Sequence, residues 1–220
     1  ATMYAQWTAL PNHTVTFDSN GGTGTMVDQI DNVATPLDGD TFTRFGFTFS
    51  GWNTAADGSG TAYADAASYP FTADATMFAQ WTALPDHTVV FDSNGGTGTM
   101  ADQVDNVATP LDGDTFTRVG YSFAGWATTS GGPVAYVDAA SYPFTSDATL
   151  YAVWSALPMH TVKFMKNGGN GVMGDEVDSV TSPLDPNAFS RPGYVFTGWN
   201  TAPDGSGVGY VDAESFDFTT

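Results

Sequence analysis

Apolar positions in this chain recur in short alternating runs and return in the same order three times. His13–Asp18 alternates polar and apolar residues, with Val15 and Phe17 on one face. That two-residue period predicts a strand buried on one side. Asn20-Gly21-Gly22 then signals a turn, because Asn and Gly tolerate positive φ. A second strand is expected around residues 26–33, and the TPLDGD run at 35–40 breaks the chain. Residues 42–52 hold the next strand, with Phe47 and Phe49 two apart and Gly46 and Gly51 as punctuation. A Gly/Asp loop follows at 53–60. Residues 65–71 (DAASYPF) read as one helical turn closed by Pro70, and 75–81 as a final strand.

This block is a tandem repeat. HTVTFDSNGGTGTM at 13–26 returns as HTVVFDSNGGTGTM at 87–100 and as HTVKFMKNGGNGVM at 160–173. Residues 13–54 and 87–128 share 34 of 42 positions, so one fold must serve both. ATMYAQW begins at Ala1, ATMFAQW at Ala75 and ATLYAVW at Ala148, spacings of 74 and 73 residues. If each module begins at its His-Thr-Val strand, residues 1–12 are the last strand and linker of a preceding repeat. Repeat 1 is then 13–86, repeat 2 is 87–159, and repeat 3 is 160–220, lacking its last strand.

The large rings also fall in register. Phe17, Phe49, Trp52, Phe71 and Trp81 correspond to Phe91, Phe123, Trp126, Phe144 and Trp154, and Phe164, Phe196 and Trp199 continue the series. A unit of about 73 residues without disulfides has little interior, and aromatics fill it efficiently. These rings are therefore assigned to the core.

The run Arg44-Phe45-Gly46-Phe47-Thr48-Phe49-Ser50-Gly51-Trp52 recurs at 118–126 and 191–199. With the Asn-Gly-Gly strand before it and the closing aromatic strand after it, the pattern resembles the Listeria–Bacteroides repeat of the internalin B-repeat type. That resemblance implies mainly β modules, β-grasp-like and small α+β, on secreted or surface-anchored bacterial proteins. There such modules serve as stalks, spacers or adhesion segments. It transfers no catalytic motif. An extracellular or cell-surface location is the corresponding expectation.

Charge narrows the partners. Five Lys and Arg stand against 24 Asp and Glu, a net charge of −19. Nucleic-acid binding requires basic patches and is excluded. No run of about 18 apolar residues is present, so no membrane insertion is expected in this segment. Of the acids, 22 are Asp and two are Glu (Glu176 and Glu214), which suits turns rather than helices. The absence of cysteine removes disulfides and thiolate chemistry.

Candidate chemistry is sparse. His13, His87 and His160 occupy one equivalent position before the first strand, so each module supplies a single imidazole and no convergent pair. No nucleophile elbow, phosphate loop or HExxH pattern is present, and no enzyme is expected. Calcium is the metal candidate, with Asp38 and Asp40, and Asp112 and Asp114, as weak ligand pairs. The third copy replaces the second carboxylate by Asn187, and turn capping accounts for most of these Asp without an ion. Arg44, Arg118 and Arg191 are read as structural, either paired with a carboxylate or packed over a ring. Lys163 and Lys166 occur only in the third copy, so no general Lys–Asn cross-link is encoded.

The sequence thus points to a non-enzymatic stalk or spacer: an elongated array on the order of 80–100 Å by compact-domain scaling. Its Ala-Leu-Pro linkers are expected to limit bending. The alternative is an adhesion module that binds glycan or host protein through acidic faces and rings such as Tyr63, Tyr136 and Tyr210. A further expectation concerns Ala1, Thr2, Met3, Tyr4, Ala5, Gln6 and Trp7. This possible donor strand fits a sheet that lacks its last strand, with neighbouring repeats or identical chains placed head-to-tail as partners; the alternative is that the chain is a stretch of a longer array that supplies the strand covalently.

Overall fold

The computed structural model describes residues 1–219. The chain forms two compact units. One contains Ala1–Thr88 with Val104–Thr109 and Tyr142–Asp147, and the other contains Val89–Gln103, Pro110–Ser141 and the chain from Ala148 onward. Repeat 1 lies wholly in the first unit and repeat 3 in the second.

Repeat 1 contains β1 (His13–Asp18), β2 (Gln29–Asp31), β3 (Thr35–Pro36), β4 (Phe47–Asn53), β5 (Ala62–Tyr63), β6 (Ser68–Tyr69) and β7 (Ala75–Ala83). Five strands form one sheet in the order β2-β1-β7-β4-β5, and β3 pairs with β6 in a separate ribbon. The strand that comes last in sequence is therefore central. It runs parallel to β1, with Val15 opposite Ala75, and antiparallel to β4, with Phe47 opposite Ala83. Its alternation buries Met77 and Ala79 in a core with Val15, Phe17, Leu37, Phe42, Trp52, Tyr69 and Phe71. The β4–β7 register slips between Phe49 and Gly51. Gly51 sits there at φ 135°, and a Cβ on it would lie 2.8 Å from the Tyr63 carbonyl, so the bulge requires glycine.

The described residues contain no helix, and two expectations are corrected. The helical turn expected at 65–71 is a tight turn that leads into β6. Ala66 has φ 52° and Phe71 has φ 46°, which no right-handed helical turn accommodates. The Ala67 N–H bonds the Ala64 carbonyl, and Tyr69 pairs with Thr35 and turns its ring inward. The modules are thus mainly β, without the helix of a small α+β unit. The strand expected at 42–52 starts only at Phe47, because the Phe47 N–H closes a turn onto the Arg44 carbonyl across Gly46, at φ 76°.

Repeat 2 contains β8 (His87–Asp92), β9 (Gln103–Asp105), β10 (Thr109–Pro110), β11 (Tyr121–Ala127), β12 (Ser141–Tyr142) and β13 (Ala148–Ala156). Here β13 takes the central place, parallel to β8 and antiparallel to β11 with the same slip at Gly125. Val89, Phe91, Trp126, Leu150 and Ala152 are buried.

Repeat 3 contains β14 (His160–Val162), β15 (Glu176–Asp178), β16 (Ser182–Pro183), β17 (Trp199–Asn200), β18 (Gly209–Tyr210) and β19 (Ser215–Phe216). These make three separate ribbons, β14–β15, β16–β19 and β17–β18. Among the described residues, no segment takes the place that β7 and β13 hold.

Candidate functional site

In the first two repeats the central strand is held by the same side-chain locks. The Trp81 Nε1–H donates to the Ser19 carbonyl at 3.0 Å, and the Trp154 Nε1–H donates to the Ser93 carbonyl at 2.9 Å. Each indole also covers the turn glycine. A Cβ on Gly22 would lie 2.7 Å from Trp81 Cζ2, and one on Gly96 would lie 2.6 Å from Trp154 Cζ2. The Asn20 and Asn94 amides reach across to the carbonyls of Ala79 and Ala152, both at 2.9 Å. Both asparagines have positive φ, which aims the amide at the strand. The Thr14 and Thr88 N–H groups donate to Asp74 and Asp147 just ahead of the central strand, and His13 and His87 stand 3.5 Å from those carboxylates. The Thr88 N–H, then His87, hold the Asp147 carboxyl below its ordinary range.

Repeat 3 keeps the surroundings of this strand without the strand. Its core joins Phe164, Leu184 and Phe218, with Val162, Met173, Phe189, Trp199, Tyr210 and Phe216 packed against them. Phe164 and Trp199 meet at a tilt with ring centres 4.7 Å apart, as Phe17 and Trp52 do at 4.9 Å. The stretches of repeat 3 without regular structure are those equivalent to the parts of β1 and β4 that pair with β7. β14 stops at Val162 where β1 continues to Asp18, and 194–198 is not strand where β4 spans Phe47–Asn53. Exposure rises at the same residues. Trp52 is 1% exposed and Trp126 0%, whereas Trp199 is half-buried; Phe196 is 38% exposed where Phe49 and Phe123 are half-buried. Asn53 is buried and its equivalent Asn200 is exposed. Residues 1–7 have no regular structure, and Met3 and Trp7 are 92% and 91% exposed.

The remaining sequence candidates fall as follows. Phe17, Phe71, Phe91, Phe144 and Phe164 are buried, and Trp81 and Trp154 are half-buried over their turns. Asp40 caps its own loop: its carboxylate accepts the Phe42 N–H while its N–H donates to Asp65. Burial and then Asp65 push its carboxyl up, and Asp114 repeats this with Asp138. Asp38 and Asp112 offer their N–H groups to Gln29 and Gln103. Among the described residues no three His, Asp or Glu converge as a metal site. Each arginine lies over a ring, Arg44 on Phe47, Arg118 on Tyr121 and Arg191 on Tyr194, all at 4.1 Å. Tyr63, Tyr136 and Tyr210 are half-buried, with Tyr63 edge-on to Tyr69 at 5.3 Å. Lys163 reaches Asp175 at 3.7 Å on the surface.

Sequence reading assigned Trp81 and Trp154 to the core and gave Asn20 a place in the turn, with no hydrogen bond to the central strand expected of it or of Asn94. The signal for the locks was a ring at the end of a strand that recurs with an Asn-Gly-Gly turn some 60 residues earlier. What it lacked was the parallel pairing that brings the two together.

Comparison with known proteins gives one family. The model of the Listeria-Bacteroides repeat domain matches residues 13–80, 87–153 and 160–219. Two proteins of Evansella cellulosilytica are similar. One, called a putative Gly-rich membrane protein, is 33% identical over 184 residues, 76% of this chain and 21% of that protein. The other, called a putative membrane protein, is 27% identical over 225 residues, 98% of this chain and 32% of that protein. The chain thus spans about a fifth to a third of the length of these relatives.

Proposed function

The chain belongs to the Listeria-Bacteroides repeat domain family, and from that footing we propose that it is a non-enzymatic structural repeat, a stalk or spacer, of a secreted or cell-surface bacterial-type protein. The observation that carries this reading is the nature of what is duplicated. The contacts common to the closed repeats, indole to turn carbonyl and asparagine amide to central strand, are framework contacts that hold a sheet together. Copying such a unit multiplies length without multiplying a reactive constellation. The names of the two relatives, both called membrane proteins, support a place at the cell envelope. The strong negative charge supports solubility there and disfavours lateral association.

Adhesion through aromatic faces is the alternative. Its three candidate tyrosines are half-buried rather than presented to solvent, so the spacer reading is preferred. Excising residues 87–159 from the parent surface protein tests it. The height of a distal epitope above the cell should fall by the reach of one repeat, with glycan and host-protein binding unchanged. Unchanged height together with lost adhesion would overturn the spacer reading in favour of the binding module.

A further inference from the structure

We propose that repeats 1 and 2 each carry a socket for the repeat that follows, and that the side chains of Asn106 and Ser179 are the keys that couple neighbouring repeats. This deepens the spacer reading and rests on it for its biological purpose, but not for its chemistry.

The socket of repeat 1 is the turn at Arg44–Phe47 with the linker beside it. The Phe47 N–H closes that turn onto the Arg44 carbonyl, with Gly46 at φ 76°. The Leu84 N–H then donates to the Gly46 carbonyl at 2.9 Å. Pro85 has no N–H, so the linker leaves the sheet at this point. Repeat 2 builds the same socket from Gly120, also at φ 76°, and Leu157, whose N–H reaches the Gly120 carbonyl at 2.9 Å. Leu84 and Leu157 are both half-buried.

The key to the first socket comes from the turn between β9 and β10 of repeat 2. Asp105 shapes that turn. Its carboxylate accepts the N–H groups of Asn106 at 2.8 Å and Val107 at 3.4 Å, and the Thr109 hydroxyl at 2.9 Å. The half-buried Asn106 side chain then lies against repeat 1. Its amide donates to the Leu84 carbonyl at 3.3 Å, and a Cβ on Gly46 would lie 3.0 Å from its Oδ1. Gly46 is buried, and its bare face serves both the positive φ of its own turn and the approach of the next repeat. Accordingly Val104–Thr109 belongs to the compact unit of repeat 1 and not to the one that holds β11. Asn32 makes the same reach, to the Leu10 carbonyl at 3.4 Å.

Repeat 3 docks on repeat 2 with a different key. The Asp178 carboxylate accepts the N–H groups of Ser179 at 2.6 Å and Val180 at 3.3 Å, and a Cβ on Gly120 would lie 3.2 Å from the Ser179 Oγ. Ser179 is buried. Serine brings one hydroxyl where asparagine brings an NH₂ group and a carbonyl, so the second joint is weaker than the first. Contacts of this kind are the nearest-neighbour term of a repeat array, which makes its stability more than the sum of its repeats.

Native-state hydrogen exchange on the 220-residue chain, read by NMR at the Leu84 and Leu157 amides, tests the inference. Local opening of the first linker breaks the bond from Asn106, so Asn106→Ala should speed exchange at Leu84 by about three- to tenfold and leave Leu157 unchanged. Ser179→Asn should slow exchange at Leu157 by a similar factor and leave Leu84 unchanged. Asn32→Ala removes the equivalent side chain from repeat 1 and should leave Leu84 unchanged, which separates the joint from the stability of a single repeat. Unchanged exchange at Leu84 in Asn106→Ala would overturn the proposal. So would an equal gain in Asn32→Ala, which assigns the effect to loosening within repeat 1, or a Leu157 amide that Ser179→Asn does not slow. Each of these leaves the spacer reading standing, since that is tested by cell-surface height and not by exchange.

Discussion

Met3, Met77 and Leu150 hold the same place in three copies of one strand motif, and shortening each to alanine separates the roles of the copies. Met77 and Leu150 have no solvent exposure, and both sit in central strands with a neighbouring strand on either side. Returning a buried methionine side chain to water costs about 1.5–3 kcal/mol. A cavity that the flanking strands cannot fill brings the usual range to about 2–5 kcal/mol. Hydrogen bonding on both sides limits collapse, so about 3–4 kcal/mol is expected for Met77→Ala. A 73-residue unit at ordinary stability per residue holds about 4–11 kcal/mol, so the loss is about a quarter or more of the total. Leu150→Ala should do the same in repeat 2. Met3→Ala, in an exposed segment, should cost the monomer less than about 0.5 kcal/mol. Urea unfolding followed by tryptophan fluorescence, at a concentration too low for association, reads all three. With a slope of about 1 kcal/mol/M, Met77→Ala should shift the first-repeat midpoint by about 3 M. A cost below about 1 kcal/mol for Met77→Ala, or an equal cost for Met3→Ala, would refute the placement of the central strand.

Three further outcomes follow from local geometry. Asp40→Asn should leave the melting temperature at pH 7 unchanged or raised, because Asn187 already caps Phe189 in repeat 3 and the change removes the repulsion from Asp65; a clear loss of stability would contradict this. Asp31, Asp105 and Asp178 are held below their ordinary value of 3.8, Asp31 and Asp178 first by the N–H of the next residue and Asp105 first by Thr109. Their folded pKa is lowered, so their contribution is present above pH 3.8 and is lost as pH falls below it; melts between pH 7 and pH 2 should show this loss, and Asp31→Asn should blunt it. Gly51→Ala places a Cβ 2.8 Å from the Tyr63 carbonyl at φ 135°, and calorimetry should find a cost above about 2 kcal/mol, with less than about 1 kcal/mol refuting the bulge assignment.

Some of this was legible in the residues. The period of two at His13–Asp18 marks β1 because one face of it meets the core. The strand expected at 26–33 shrinks to Gln29–Asp31, since only these residues face β1 and the flanks have no partner to pair with. Residues 65–71 look helical because Asp-Ala-Ala is permissive, but Asp65 spends its carboxylate on the Asp40 and Ala66 N–H groups and fixes a left-handed Ala66. The choice for Arg44 between a carboxylate and a ring could not be made from composition. It follows from the Gly46 turn, which folds residue 44 back over residue 47. The closing strand of each repeat was legible in the residues, but its place at the centre of the sheet was not. The order of strands in a sheet depends on crossovers that local patterns do not carry.

That order has a consequence for assembly. Because the central strand is last in sequence, β1 and β4 cannot join one sheet until residues 75–83 are in place, and the closing contacts span some 60 residues, as Thr14 to Asp74 does. Until then each repeat is an acceptor, and the chain carries three nearly interchangeable donors at 1–7, 75–81 and 148–154. Sequence alone cannot direct each donor to its own repeat, since the seven-residue motifs differ at only one to three positions between successive copies. Connectivity does so. Five residues separate Tyr69 in β6 from Ala75, which holds 75–81 beside its own acceptor at an effective concentration in the millimolar range that a free strand does not reach.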